Sequence, residues 1–396
     1  QASVTVNSKV NPAITSVTAA ANPICPSATT TLTANGVVGT NAVVTWWSGS
    51  NGTGTNYGTG LSIVKGPGTY YARVTGDCGT PVQASVTVNS KVNPAITSVT
   101  AAANPICPTA TTTLTANGVV GTNAVVTWWS GPNGTGTNYG TGLSIVKGPG
   151  TYYARVTGDC GSAEASITLG AKVNPAITSV TAAANPICPS ATTTLTANGV
   201  VGTNAVVTWW SGPNGTGTNY GTGLSIVKGP GTYYARVTGD CGSAEAYISV
   251  GSKTNAGITS ISVSQNPICA NGTTTLAANG VVGTNAIVTW WSGPNGTGTN
   301  YGTGLSIVKG PGTYYARVTA DCGSPVEASV TVNVETTKPT ISCPSPVVIS
   351  TDTDVCYATG VALGTPATSD NCSVASVTNN APATFNKGVT TVVWTV

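Results

Sequence analysis

The sequence has no histidine and no methionine, and it contains only one phenylalanine. Histidine is the commonest general base and the commonest metal ligand, so its absence argues against most enzyme classes. Charged residues make up 6% of the chain, against about 25% in ordinary soluble domains. The net charge of +3 is too small to indicate a nucleic-acid-binding surface.

Long apolar runs are also missing. No run approaches the roughly 20 apolar residues that a membrane-spanning helix needs. An intrinsically disordered chain is excluded too, because 40% of the residues are hydrophobic and few are charged. Glycine and proline are abundant instead, with 50 and 24 copies. This composition is typical of short strands separated by tight turns.

Internal repetition is the dominant feature of the sequence. The string TNYGTGLSIVKGPGTYYARVT occurs four times, beginning at Thr55, Thr137, Thr218 and Thr299. The spacing of 81 or 82 residues is too long for a solenoid and suits one small domain per repeat. We expect repeats at 11–92, 93–173, 174–254 and 255–336, followed by a partial sandwich at 337–396. Residues 1–10 are identical to 83–92, which predicts the last strand of a preceding repeat in a longer polymer of domains.

Each repeat is predicted to be all-β. Runs rich in Val, Ile, Thr, Tyr and Trp alternate with Gly, Pro and Asn clusters, and no stretch shows a helical period. In the first repeat we expect six strands, with residues 49–60 as a long glycine-rich loop. Those strands are placed at 14–21, 28–34, 42–48, 61–64, 69–75 and 82–89.

Two aromatic positions make the prediction more specific. Alternation along the third strand puts Trp46 on the buried face, like the core tryptophan of an immunoglobulin domain. Tyr70 matches the tyrosine corner of such domains, and Ala72 stands where antibody domains place their second core cysteine. The predicted fold is therefore a rod-like array of tandem immunoglobulin-like β-sandwiches without the inter-sheet disulfide. The predicted core residues are Trp46, Tyr70, Trp128, Tyr152, Trp209, Tyr233, Trp290 and Tyr314.

The eleven cysteines indicate structural disulfides and an oxidising, extracellular setting. Pairing within a repeat is the simpler alternative and would close loops of 53 residues. Strand geometry gives a second alternative, because a strand of about 24 Å separates the two turns and bridged Cα atoms lie within about 7 Å. Cys25 would then join Cys160 of the next repeat. In the tail we expect Cys356 with Cys372, and a partner for Cys343 outside this sequence. The remaining cysteines in the predicted set are Cys78, Cys107, Cys188, Cys241, Cys269 and Cys322.

Three motifs carry a family resemblance. The pattern NPIC followed by TTLTA, VTWWSG and GPGTYYARVTGDC resembles the tandem Ig-like modules of giant surface proteins of Bacteroidota. That resemblance implies export by the type IX secretion system and a role in adhesion or gliding. In the tail, CPSPVVIS, SDNCS and ATFNKGVTTVVWT resemble a hyalin repeat (HYR) domain that lacks its closing strand and last cysteine.

Candidate chemistry is sparse. The repeated Asp beside each second cysteine is interpreted as a turn residue, because a catalytic pair needs two carboxylates in one cleft. Weak calcium binding is considered only for Asp352, Asp354 and Asp370 in the tail, and no other cofactor is expected. The second tryptophan of each pair points away from the predicted core, so it packs under the loop, contacts another chain or binds a glycan. These candidates for an interaction surface are Trp47, Trp129, Trp210 and Trp291.

The sequence therefore predicts a non-enzymatic structural protein at the cell surface. The expected role is a stalk or filament segment that bears force, with other copies or other surface proteins as partners. A glycan-binding array that uses the outward tryptophans is one alternative, and a passive spacer of a larger secreted enzyme is another.

Overall fold

The computed structural model describes all 396 residues, and the chain is built almost entirely from β-strands. The first repeat contains seven strands, which we call A, B, C, C′, E, F and G of the repeat. A 3₁₀ turn, Ser50–Gly52, lies between strands C and C′. The strands β1 to β7 are Ser16–Ala19, Thr30–Asn35, Val43–Trp47, Asn56–Thr59, Ser62–Lys65, Gly68–Thr75 and Val82–Val88.

The other three repeats have the same element order, with 3₁₀ turns at Pro132–Gly134, Pro213–Gly215 and Pro294–Gly296. In the second repeat, β8 to β14 are Ser98–Ala101, Thr112–Asn117, Val125–Gly131, Thr135–Thr141, Ser144–Lys147, Gly150–Gly158 and Gly161–Leu169. In the third, β15 to β21 are Ser179–Ala182, Thr193–Asn198, Val206–Gly212, Thr216–Thr222, Ser225–Lys228, Gly231–Gly239 and Gly242–Val250. In the fourth, β22 to β28 are Ser260–Val263, Thr274–Asn279, Ile287–Gly293, Thr297–Thr303, Ser306–Lys309, Gly312–Thr319 and Val326–Val332.

Two antiparallel sheets form each sandwich. Strands A, B and E make a three-stranded sheet in the order β1-β2-β5, and C′, C, F and G make a four-stranded sheet in the order β4-β3-β6-β7. The tandem immunoglobulin-like fold is therefore confirmed by its sheets. The prediction of six strands was wrong, because strand C′ lies inside the segment assigned to a loop. Its sequence, NYGT, has little of the β-branched alternation that marks a strand, and it pairs with strand C through a shifted register.

The core of each repeat lies between the two sheets. Trp46 is fully buried and stands opposite Ala72, whose small side chain leaves room for the indole. Trp46 Nε1 donates a hydrogen bond of 2.8 Å to the Gly60 carbonyl, so the buried N–H is satisfied. Tyr70 Oη donates to the Gly66 carbonyl at 3.0 Å, which is the geometry of a tyrosine corner. The equivalent residues Trp128, Tyr152, Trp209, Tyr233, Trp290 and Tyr314 are also buried.

The C-terminal segment is built differently. Its strands β29 to β34 pair only two by two, and the cleft between them has a volume of about 630 Å³ lined largely by apolar residues. Val348 and Val389 are almost fully exposed there. The strands are Thr340–Ser342, Tyr357–Thr359, Ala367–Ser369, Thr378–Asn379, Thr384–Asn386 and Trp394–Thr395.

The contacts divide the chain into two compact units that do not coincide with single repeats. One unit consists of Gln1–Thr178, Gly199–Thr208 and Arg236–Glu245, and the other consists of Ser179–Asn198, Trp209–Ala235 and Ala246–Val396. The first contains the whole of the first two repeats, and the second contains the fourth repeat and the tail. The boundaries of the repeats given above, and their arrangement as a rod, stay predictions.

The buried tryptophan gives a first prediction. Replacing Trp128 with alanine should destabilise the second repeat by about 3–5 kcal/mol, because it leaves a cavity in a close-packed core. Amide hydrogen exchange, measured by mass spectrometry, should then accelerate in β9, β10 and β13. Val146, whose side chain is 61% exposed, is the matched control, and Val146→Ala should change stability by less than about 0.5 kcal/mol. Equal acceleration in the two variants would contradict the assigned core.

Candidate functional site: the junction between repeats

Every disulfide joins one repeat to the structure that follows it. Cys25 lies in the turn between strands A and B, and it bonds to Cys160 in the turn between strands F and G of the second repeat, with a Cα–Cα distance of 5.5 Å. Pairing within a repeat is therefore wrong, and the alternative based on strand length is confirmed. The other bridges are Cys107–Cys241, Cys188–Cys322 and Cys269–Cys372.

Three cysteines are free thiols, which corrects two further predictions. Cys78 was included among the disulfide cysteines, but it has no disulfide partner within residues 1–396, and its thiol donates to Asn11 Oδ1 at 3.4 Å. The expected pair of Cys356 with Cys372 is wrong, because Cys372 bonds to Cys269 and Cys356 is exposed and free. Cys343 is also exposed and free. Equal spacing along the chain made Cys25 and Cys78 look like partners, although they occupy turns at opposite ends of a sandwich.

An ion pair accompanies the disulfide at each of the three junctions between repeats. Lys91, which follows strand G of the first repeat, lies 2.7 Å from the carboxylate of Asp159, the residue before Cys160. Asn123 donates to both oxygens of this carboxylate. The hydrogen bond from Lys91, and after it that from Asn123, holds the pKa of Asp159 below its usual value. The equivalent pairs are Lys9–Asp77, Lys172–Asp240 and Lys253–Asp321.

Sequence reasoning interpreted these aspartates as isolated turn residues and missed the lysines. A signal was present, because each lysine precedes its aspartate by 68 residues in all four copies. The pair is partly exposed, with side-chain exposures of 26% and 28% at Lys91 and Asp159. A pair this accessible to water and salt contributes little to stability, but it helps to orient the junction.

Backbone hydrogen bonds complete the junction. The linker segment 89–92 binds the preceding repeat first, because the Ile24 amide donates to the Asn89 carbonyl and the Lys91 amide donates to the Ile24 carbonyl. It then binds the following repeat, where Val92 and Thr122 exchange two hydrogen bonds. The linker therefore has partners on both sides, which restricts hinge motion at Asn93 and Pro94. We call this set of disulfide, ion pair and paired linker the junction clamp.

The first repeat has the same arrangement at its own N-terminal side, except for the disulfide. Lys9 pairs with Asp77 at 2.9 Å, and Val10 exchanges two hydrogen bonds with Thr40. Cys78 therefore occupies the position that Cys160 has in the second repeat. Residues 1–6 form no strand, although the identical residues 83–88 lie within β7, where they pair with β6.

The second tryptophan of each pair is half-buried rather than free on the surface. Trp129 Nε1 donates to Thr127 Oγ1 at 3.0 Å. The turn Pro132–Gly134 covers the ring, since a Cβ on Gly134 would lie 3.6 Å from Trp129 Cε2. This geometry favours the packing interpretation for Trp129, and Trp47 Nε1 donates to Thr45 Oγ1 in the same way. Trp210 and Trp291 are also half-buried, but their indole N–H groups have no hydrogen-bond partner.

No three His, Cys, Asp or Glu side chains come together in a way that could hold a metal ion. Asp352 instead accepts hydrogen bonds from the amide and hydroxyl of Thr359, at 2.9 and 2.8 Å. Calcium binding by Asp352, Asp354 and Asp370 stays a prediction. Glu164 accepts a hydrogen bond from the Asn133 amide at 3.0 Å, which fixes the turn over Trp129.

Cation–π and aromatic contacts that the sequence patterns did not reveal also close the open edge of each sandwich. Lys147 Nζ lies 3.7 Å above the Tyr139 ring, whose centroid is 5.7 Å from that of the buried Tyr152. Tyr139 is on strand C′ and Lys147 is on strand E, so the cation–π contact links the two sheets. The same contacts recur in the other three repeats.

No protein-family model matches this chain, and no curated protein matches it. Among solved structures, the chain is similar to a three-immunoglobulin-domain fragment of titin, with 16% identity over 62% of this chain and all of that fragment, at a TM-score of 0.35. It is also similar to immunoglobulin domains 1–5 of Sidekick-1, with 14% identity over 82% of this chain and 81% of that one, at a TM-score of 0.26. The ectodomain of mouse nectin-like molecule 4 is 13% identical over 58% of this chain and 96% of its own, at a TM-score of 0.30. These similarities are low, and the fold assignment depends on the sheet topology described above.

The chain contains no helix with the length and apolar character to cross a membrane.

The disulfide pattern gives a second prediction. Alkylation of the purified 396-residue chain before digestion should modify only Cys78, Cys343 and Cys356, because the other eight cysteines are bonded to one another. Non-reducing peptide mapping should then recover the peptide of Cys25 attached to that of Cys160. A peptide that joins Cys25 to Cys78 would contradict the junction clamp.

The ion pair gives a third prediction, on pH. Because the pKa of Asp159 is lowered in the folded protein, its contribution is complete above about pH 4 and is lost as the pH falls through the lowered pKa. Protection of the Val92 and Thr122 amides against hydrogen exchange should fall over that acidic range. In the Asp159→Asn variant this acid-dependent step should disappear, and high salt should reduce it in the native protein. An unchanged step in the variant would exclude Asp159 as its source.

Proposed function

We propose that this protein is a structural stalk or filament segment of a large extracellular cell-surface protein. The observation that carries the proposal is the junction clamp, in which a disulfide, an ion pair and a paired linker recur at the same positions. Such clamps serve a protein that must hold its domains in a fixed succession. Disulfides persist in oxidising compartments and are rare in the cytosol, which supports an extracellular location.

The proposed role is force-bearing attachment in adhesion or gliding, without enzymatic activity. Each of these junctions has a disulfide beside its partly exposed ion pair. A covalent bond at this place suits a protein that is pulled outside the cell, where broken contacts are not repaired. The motifs that resemble surface modules of Bacteroidota, and the tail that resembles an HYR domain, support export by a type IX system. These assignments belong to the proposal.

Association with other copies, or with other surface proteins, is part of the same proposal. With 6% charged residues the surface has little like-charge repulsion to keep chains apart. Exposed apolar side chains recur on every repeat, and they include Leu61, Leu143, Leu224 and Leu305, each about 60% exposed. A glycan-binding array has less support, because each outward tryptophan is half-buried and a turn covers the ring of Trp129.

A fourth prediction tests the function in cells. In-frame deletion of residues 93–254 removes two repeats and leaves Cys25 in register with Cys322, since both second cysteines follow the same repeated segment. We expect the shortened protein to reach the surface, as shown by an impermeant biotin label, and cell attachment under shear flow to fall several-fold. The matched control is Val146→Ala in the full-length protein, which should leave attachment unchanged. An intracellular protein with reduced cysteines would overturn the proposal.

A further inference from the structure

The order of the bridges along the chain is interleaved. The bridge from Cys25 ends at Cys160, but the next bridge starts at Cys107, before the first one has closed. The third bridge starts at Cys188, before the second has closed at Cys241. Each bridge therefore overlaps the next, and no repeat is enclosed by a bridge of its own. The chain and its bridges form a covalent network with more than one route from end to end.

The shortest covalent route between Cys25 and Cys322 is much shorter than the chain between them. It crosses the first bridge to Cys160, follows the chain to Cys188, and crosses a second bridge to Cys322. Only 28 residues, from 160 to 188, lie on this route, whereas 297 residues separate the two ends along the chain. A second route from Cys107 to Cys372 has the same form and uses the 28 residues from 241 to 269.

The elements on the route are the outer strands. Between Cys160 and Cys188 the chain forms strand G of the second repeat, Gly161–Leu169, and strand A of the third, Ser179–Ala182. Strands B to F of the second repeat lie off the route, between Cys107 and Cys160, together with the buried Trp128 and Tyr152. These inner strands connect the two routes covalently, because they lie between Cys107 on the second route and Cys160 on the first.

We infer that the interleaved disulfides carry tension past the hydrophobic cores. The maximum extension of the chain therefore stays limited even when its sandwiches unfold. Without bridges, 297 residues extend to roughly 1,070 Å at about 3.6 Å per residue. With the bridges intact, the 28 residues of the route extend to roughly 100 Å at the same rise. The bridges therefore reduce the maximum distance between Cys25 and Cys322 in the fully unfolded chain about tenfold.

Bridges within single repeats would not give the same limit. Pairing Cys25 with Cys78, and its copies in the same way, would leave three free stretches of about 28 residues between the same two ends. The extended length would then be roughly 300 Å, at about 3.6 Å per residue. The interleaved arrangement removes two of the three stretches. The biological use of this limit rests on the proposed function, since only a chain under load benefits from it.

Single-molecule force spectroscopy on the full purified chain tests the inference, with handles at residues 1 and 396. The chain should gain roughly 970 Å of contour length when its disulfides are reduced, because 269 residues become available at about 3.6 Å each. A gain of roughly 760 Å, from 212 residues at the same rise, is expected for pairing within repeats and would overturn the inference. No gain on reduction would overturn it as well.

A double variant tests the route itself. Replacing Cys188 and Cys322 with serine removes one bridge. The shortest remaining route then runs back from Cys160 to Cys107, forward from Cys241 to Cys269, and back from Cys372 towards residue 322. With handles moved to residues 24 and 323, that route contains 131 residues instead of 30, so the oxidised variant should extend roughly 360 Å further than the native chain at about 3.6 Å per residue. Cys356→Ser is the matched control, because this thiol is free and lies off every bridge. Equal lengths of the double variant and the native chain would overturn the route.

These measurements separate the inference from the proposed function. They use the purified protein, so a failed length limit would overturn the covalent route even if the protein is a surface stalk. Conversely, a confirmed limit combined with unchanged cell attachment in the deletion variant would overturn the proposed function and leave the covalent route intact.

Discussion

The positions of the two cysteines within each sandwich determine how the repeats are joined. One lies in the turn between strands A and B, and the other lies in the turn between strands F and G, at the far end of the same domain. Bridged Cα atoms must come within about 7 Å of each other, which no single sandwich of this fold allows for these turns. The linker, the lysine and the aspartate all lie where the F–G turn of one repeat meets the A–B turn of the repeat before it. The ion pair and the linker hydrogen bonds follow from that one placement.

The core of each sandwich is stabilised separately from the junction. In antibody domains a disulfide crosses between the sheets, whereas here Ala72 stands at that position and faces the fully buried Trp46. The tryptophan and the tyrosine corner fill the interior, and their polar atoms are bonded to nearby carbonyls. This division leaves the cysteines available for the ends of the domain. The cysteines lie in the end turns of each sandwich and not between its sheets, so the core has no disulfide and the junction has one.

Local sequence identified the fold and the buried aromatic residues but not the pairing of distant parts. Trp46 and Tyr70 were predictable because strand alternation and the corner motif are short-range signals. Strand C′ was missed because its glycine-rich sequence becomes a strand only by pairing with strand C. Residues 1–6 show the same limit, since their identical copy at 83–88 is a strand only where β6 is beside it. The ion pairs needed a comparison of positions 68 residues apart, which periodic patterns within one repeat do not reveal.

Loop entropy does not explain why the bridges run between repeats rather than within them. A bridge that closes 53 residues restricts the unfolded chain by about 4 kcal/mol, and one that closes 134 residues does so by about 5 kcal/mol. A difference of about 1 kcal/mol per bridge is too small to make stability the distinguishing property of this arrangement. The two patterns differ much more in the length of chain left outside the bridges, which changes about threefold between Cys25 and Cys322. The property that separates them is therefore mechanical, and the junction clamp is best understood as a device that limits extension.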